Sequence, residues 1–117
     1  NVPIPSPTPE QIAAHLQRTT GLGAEQIDRL LIAVRQSLAT NLATMEQALL
    51  TGDASTLAAA AHALKGTLLQ SGLQELAGTV EVMEHQAQTL RLDNCEAPFQ
   101  VVRTGLADLM AARNNDH

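Results

Sequence analysis

The chain has 117 residues, which is enough for one domain and too few for two. Its net charge is −5, and one lysine and six arginines provide no basic face of the kind that nucleic acid or an anionic membrane requires. Leu, Ala, Val and Ile make up most of the apolar 44%, and Phe99 is the only aromatic residue. Because alanine and leucine favour helices, whereas sheets favour β-branched and aromatic residues, this composition predicts an all-α protein.

The single cysteine, Cys95, cannot form an intramolecular disulfide, which fits a reducing compartment. No apolar run approaches the roughly 20 residues that span a bilayer, and no secretory signal pattern is visible. We therefore expect a cytoplasmic domain that does not insert directly into a membrane.

The N-terminal segment is rich in proline. Its alternating prolines predict an extended, semi-rigid linker over residues 1–8. Thr8 followed by Pro9 is typical of a helix start, with a hydroxyl cap and a proline at the first helical position. The predicted helix runs from Pro9 to about Thr20 and ends at Gly21.

Four longer amphipathic segments follow in chain order. Apolar residues spaced by three and four predict helices over Ala24–Thr51, from Ala54 to about Ser71, over Leu73–Leu90, and from about Pro98 onward. The residues predicted to face the core are Ile27, Leu31, Val34, Leu38, Leu42, Met45 and Leu49; Leu57, Ala61, Leu64 and Leu68; Leu73, Leu76, Val80, Met83, Ala87 and Leu90; and Phe99, Val102, Leu106 and Leu109.

Short connections join these segments. Gly52 is a typical helix stop and Asp53 a typical N-cap, so two residues separate two helices there. Four amphipathic helices joined in this way predict an antiparallel up-and-down four-helix bundle, with the first helix as a short N-terminal cap. We expect the domain to span residues 9–113, followed by a flexible tail over residues 114–117.

His62 lies off the apolar stripe of its helix. At 100° per residue, the stripe residues fall about 200–260° around the helix from His62, so the imidazole is predicted to face solvent. Gly66 lies on the same face, and a glycine inside a helix costs about 1 kcal/mol relative to alanine. Close approach of a partner would explain that glycine, and so would helix packing. The residues predicted to surround His62 on this face are Ala58, Ala59, Lys65, Gly66 and Leu69.

The stretch from Gly52 to Glu84 resembles the signature of histidine-containing phosphotransfer (HPt) domains. The shared pattern is a Gly-Asp helix start, the sequence AHALKG around His62, a glycine ten residues after the histidine, and a following helix rich in leucine and acidic residues. Thr67, followed by Leu68 and Leu69, departs from the pattern, because small residues often stand at these positions. The resemblance implies a phosphorelay intermediate that accepts a phosphoryl group from one receiver-domain aspartate and passes it to another.

The resemblance also implies a role for individual residues. His62 would be the phosphoacceptor, Lys65 a positive charge beside the phosphoryl group, and Gly66 the clearance for a receiver domain. The family often places an amide or acid on the following helix, where it hydrogen-bonds the histidine, and Glu84 occupies that place. Gln70 and Gln74 are weaker candidates for this contact. The docking surface would comprise Ala58, Ala59, Gly66 and Leu69.

The same resemblance predicts the partners and cofactors. We expect no cofactor and no metal site in this chain, with Mg²⁺ bound by the partner receiver domain. The chain would be a phosphotransfer intermediate without kinase activity of its own, and a monomer. Receiver domains of response regulators would bind it, within or alongside a hybrid sensor kinase. The proline-rich start suggests a cytoplasmic C-terminal domain tethered to a membrane-bound sensor kinase, although a free-standing protein is the alternative.

Two other functions compete with this interpretation. A metal-binding helical module could use His15, His62, His85 and Cys95, although bundle sites need inward-facing ligands and His62 is predicted to face outward. A non-catalytic helical module that binds receivers would share the fold. We interpret His15 and His85 as surface residues, and Cys95 as an incidental thiol in a loop without a basic neighbour.

Overall fold

The computed structural model describes residues 7–112, except for the side chains of Asp108, Ala111 and Ala112. The described residues are helical and contain no strand, which confirms the all-α prediction. Most of the predicted linker, residues 1–6, and the predicted tail lie outside the described residues. The elements are α1 (Pro9–Thr20), α2 (Ala24–Thr51), α3 (Ala54–Gln70), α4 (Gln74–Gln88), a 3-10 helix (Leu92–Asn94) and α5 (Glu96–Ala112).

Local capping fixes the first helix boundaries. The Thr8 hydroxyl accepts a hydrogen bond from the Gln11 backbone N–H at 3.2 Å, and the Gln11 side chain accepts one from the Thr8 N–H at 3.0 Å. This reciprocal pair satisfies two donors at the start of α1. Gly21 and Gly52 end α1 and α2 in the left-handed conformation, each with φ of 73°. The predicted bounds of α1 and α2 are confirmed.

The helices α2 to α5 form the predicted four-helix bundle. Each packs against the next along the chain, α5 returns to contact α2, and α1 packs on α2. Because the connections are short, successive helices run antiparallel. Within residues 7–112, no helix is both long enough and apolar enough to cross a membrane.

The predicted stripes form one continuous core, with differences at its edges. The four residues predicted on α5, from Phe99 to Leu109, are buried, and so are Leu57, Ala61, Leu64 and Leu68 on α3. On α2, three of the seven predicted core residues are only half-buried, because they lie at the rim of the core. Those three are Leu31, Val34 and Leu49.

Leu90 was wrongly predicted to belong to the core. The helix α4 ends at Gln88, and Leu90 follows with φ of 62° and 77% of its surface exposed. The Leu90 and Arg91 N–H groups donate to the Ala87 and Gln86 carbonyls, so the chain already turns away from the helix there. The periodic pattern alone does not reveal this turn, because it ends without a glycine.

His15 was wrongly predicted to be a simple surface residue. It is half-buried, and its ring lies over Gly72 in the turn between α3 and α4. A Cβ atom built on Gly72 would lie 2.7 Å from the His15 Cγ atom, and Gly72 has φ of 80°. This turn therefore requires a glycine at position 72 for two reasons. Its backbone is left-handed, and the His15 ring occupies the space that a Cβ atom would need.

Candidate functional site

His62 lies on α3 with 70% of its side chain exposed. Its Nδ1 atom is 3.0 Å from the Glu84 Oε2 atom on α4. An ionised carboxylate can only accept hydrogen bonds, so Nδ1 is the protonated nitrogen and donates to Glu84. This leaves the Nε2 lone pair as the free nucleophilic position of the ring.

Glu84 also contacts Lys65. The Glu84 Oε1 atom is 3.2 Å from the Lys65 Nζ atom, while Oε2 holds His62. His62 and Lys65 are three residues apart and so lie on the same face of α3, within reach of one carboxylate from α4. The Glu84 side chain is only 12% exposed, and Met83, the residue before it, is buried in the core. The structure thus brings the three predicted residues together.

The other two candidates for the His62 contact lie elsewhere. Gln70 and Gln74 are exposed at the end of α3 and the start of α4, and within residues 7–112 neither donates to or accepts from His62. Glu84 therefore provides the side-chain contact to the imidazole.

The predicted docking residues differ in exposure. Ala59 is exposed, Leu69 is 50% exposed, and Ala58 is half-buried against the core and so offers less surface than expected. A Cβ atom on Gly66 would meet no other atom within 4 Å. Helix packing therefore does not explain Gly66.

The histidines and the cysteine named for a metal-binding module are not gathered into one site. His15 lies on Gly72, His85 is exposed on α4, and Cys95 is buried with its Sγ atom 3.6 Å from the Met83 carbonyl oxygen. Within the described part of the chain, no three His, Cys, Asp or Glu side chains come together in a way that could hold a metal ion.

Cys95 lies in the turn between the 3-10 helix and α5, which confirms the predicted loop position, and its side chain is buried. Burial and, to a smaller extent, the negative charge of Asp93 raise the pKa of the Cys95 thiol. Because the thiolate is the reactive form, Cys95 is an unreactive core residue.

A polar contact between α2 and α3 was not anticipated from the sequence. The Ser37 Oγ atom is 3.1 Å from the Thr67 Oγ1 atom, and the Asn41 amide donates to Ser37. Ser37 and Asn41 are spaced by one helical turn at the border of the apolar stripe of α2, and Thr67 stands where the HPt pattern departs. The polar pair on α2 and the departure at Thr67 are the only features of the sequence that could have indicated this contact.

Comparison with known families gives one match. A sequence model of the Hpt domain matches residues 29–112, from the first turns of α2 to the end of α5. The chain belongs to the Hpt domain family. Hpt domains act in histidine phosphotransfer within two-component phosphorelays, interact with receiver domains of response regulators, and are not kinases. Neither the search of curated proteins nor that of solved structures found a match.

Proposed function

We propose that His62 accepts a phosphoryl group from the aspartyl phosphate of one receiver domain and passes it to an aspartate of another. The observation that carries this proposal is the placement of His62, which is largely exposed while its Nδ1–H is held by Glu84 at 3.0 Å. A neutral imidazole fixed in this tautomer presents the Nε2 lone pair to an incoming phosphoryl group.

The reaction proceeds without moving a proton. The Nε2 lone pair attacks phosphorus, an N–P bond forms, the P–O bond to the donor aspartate breaks, and the carboxylate leaves with the bonding electron pair. The ring retains its Nδ1–H and becomes positively charged, and the Glu84 carboxylate lies 3.0 Å from that nitrogen. Transfer to the second aspartate is the reverse of these steps. Phosphoryl transfer depends mainly on positioning and charge stabilisation, which these residues supply.

Lys65 contributes by holding Glu84 and by its positive charge. Its ammonium binds Oε1 of Glu84, which directs Oε2 toward His62. Only 21% of the Lys65 side chain is exposed, at the edge of the same surface. A lysine is a flexible point charge, so it can remain on Glu84 or turn toward the phosphoryl oxygens once they arrive.

The receiver domain docks on the surface formed by Ala59, Gly66 and Leu69 around His62. The open space above Gly66 allows the backbone of α3 to be approached closely. We expect the receiver domain to supply Mg²⁺ and the acidic pocket for the reacting phosphoryl group. The chain would act in this way within or alongside a hybrid sensor kinase.

The proposal is tested by incubating the chain with a ³²P-labelled, phosphorylated receiver domain and Mg²⁺. We expect an acid-labile, base-stable label on His62, located by mass spectrometry. The variant His62→Gln should fold normally and remain unlabelled. The matched controls His15→Gln and His85→Gln should still be labelled on His62. With ATP alone the chain should remain unlabelled.

Two results would contradict the proposal. A label on His15 or His85 would mean that the acceptor is wrongly assigned. Binding of receiver domains without any transfer to His62 would favour the non-catalytic interaction module.

A further inference from the structure

The α2 side of the surface next to His62 carries no charged side chains. On α2, the ten residues between Arg35 and Glu46 are all neutral, and α3 has no charged residue before His62. Since charge pairing cannot select a partner on this side of the surface, selection there depends on shape and on neutral hydrogen bonds.

Four groups on α2 and α3 form a chain of hydrogen bonds with a single direction. The Thr67 hydroxyl donates to the Ala63 carbonyl at 3.3 Å, so it accepts from the Ser37 hydroxyl at 3.1 Å. The Ser37 Oγ atom then accepts from the Asn41 Nδ2 atom at 3.3 Å. Each hydroxyl both accepts and donates, and the chain begins at the Asn41 amide. Bonds ordered in this way reinforce one another.

The orientation of the Asn41 amide follows from its neighbours. Its Nδ2 atom also donates to the Ser37 carbonyl oxygen at 3.0 Å, where an amide oxygen could not be accommodated. The Oδ1 atom therefore points away from Ser37. Among the groups that the structure describes, none donates a hydrogen bond to Oδ1.

The register of α2 against α3 places Asn41 opposite the residue that follows His62. Because α2 and α3 run antiparallel and Ser37 contacts Thr67, Asn41, one turn later on α2, lies alongside Ala63, one turn earlier on α3. Ala63 is exposed and directly follows His62. The Oδ1 atom of Asn41 is thus a fixed acceptor at the α2 edge of the surface around His62.

We infer that Asn41 is a specificity-determining residue, whose Oδ1 atom accepts a hydrogen bond from an N–H group of the docked receiver domain. This inference rests on the proposed docking of receivers around His62. Asparagine is a poor helix former, and Thr67 departs from the small residue typical of the family, so a role in recognition accounts for both. Ser37 and Thr67 would act only by orienting the Asn41 amide.

The experiment compares two phosphoryl donors on the same proteins. A panel of receiver domains, phosphorylated with acetyl phosphate, tests transfer that requires docking, whereas phosphoramidate labels histidine directly without docking. The variant Asn41→Ala should fold, since alanine is the better helix former. The matched control is Gln36→Ala, which removes an exposed amide from α2 on a face turned away from α3.

We expect Asn41→Ala to slow transfer from the preferred receivers about two- to tenfold, as for one neutral hydrogen bond, and to leave labelling by phosphoramidate unchanged. The loss should differ between receivers, since only those with a donor opposite Asn41 lose a bond. Gln36→Ala should match the wild type with both donors.

Unchanged transfer in Asn41→Ala from every receiver that labels the wild type would overturn the inference, as would an equal loss for all of them. A parallel loss with phosphoramidate would also overturn it, because the effect would then be on the histidine and not on docking. A wild-type chain that phosphoramidate labels and no receiver does would instead contradict the proposed function.

Discussion

Gly66 and Gly72 lie six residues apart on the same helical hairpin, one within α3 and the other in the turn that follows it, and they differ in what surrounds them. A Cβ atom on Gly66 would enter open space, although glycine weakens the helix there. A Cβ atom on Gly72 would collide with the His15 ring, and its backbone has φ of 80°. The fold therefore requires Gly72 and does not require Gly66. Gly66 lies one turn from His62, where the proposed docking of a receiver domain would use the open space.

The largest expected effect is on the turn. Gly72→Ala should lower the free energy of unfolding by about 2–4 kcal/mol, because a left-handed residue with a Cβ atom costs about 1–2 kcal/mol and the clash with His15 adds to it. Urea denaturation followed by circular dichroism measures this loss. In a His15→Ala background, the part due to the clash should disappear. A loss of only about 1–2 kcal/mol, the cost of the left-handed backbone alone, would mean that the His15 ring moves aside freely.

Glu84 on α4, away from the turn, should give the next largest effect. Glu84→Ala removes both the hydrogen bond and the charge beside His62, and should slow transfer on the order of tenfold. Glu84→Gln keeps an acceptor for Nδ1–H and should slow transfer less. Imidazole ¹⁵N shifts should show one tautomer in the wild type and a mixture in the alanine variant. Glu81→Ala, one turn earlier and exposed, is the control, and identical ¹⁵N shifts in all the variants would exclude the contact.

Substitution of Gly66 tests the other half of the comparison with Gly72. Gly66→Gln should raise the free energy of unfolding by roughly 0.5–1 kcal/mol, because glutamine is the better helix former. The same variant should slow transfer from receivers severalfold by placing bulk beside the imidazole. Gly78 on α4 is a matched control, since its Cβ position is also open and it lies away from the Glu84 face. Gly78→Gln should raise the free energy of unfolding by a similar amount and leave the transfer rate unchanged. If Gly66→Gln and Gly78→Gln transferred at the same rate, Gly66 would have no role in docking.

The smallest effect concerns the helix start that precedes the site. The hydrogen bond from the Thr56 hydroxyl at 2.7 Å, together with that from the Thr56 N–H, lowers the pKa of the Asp53 carboxyl. A lowered pKa in the folded state contributes stability above the ordinary carboxyl pKa, and this stability is lost as pH falls through the folded value. The thermal unfolding midpoint of Asp53→Asn should therefore change less with pH across the acid range than that of the wild type. Asp28→Asn, an exposed control, should follow the wild-type curve.

Much of this protein was predictable from local sequence patterns. The Thr8 cap and the glycines at 21 and 52 set the helix boundaries through contacts within a few residues, so no tertiary information was needed. The exposure of His62 followed from helical periodicity. The contact to Glu84 was expected from its spacing in the HPt pattern, and the structure has it at 3.0 Å.

Only the tertiary structure decided what lies across a helix–helix contact. That Lys65 shares the Glu84 carboxylate, that the His15 ring lies over Gly72, and that Asn41 is oriented by Ser37 all depend on the position of one helix against another. Helical periodicity tells which face of a helix is buried, but it does not tell which residue of the neighbouring helix lies opposite. That register is set by packing of the core. It alone determined that a side chain at position 66 would meet open space, whereas one at position 72 would meet the His15 ring.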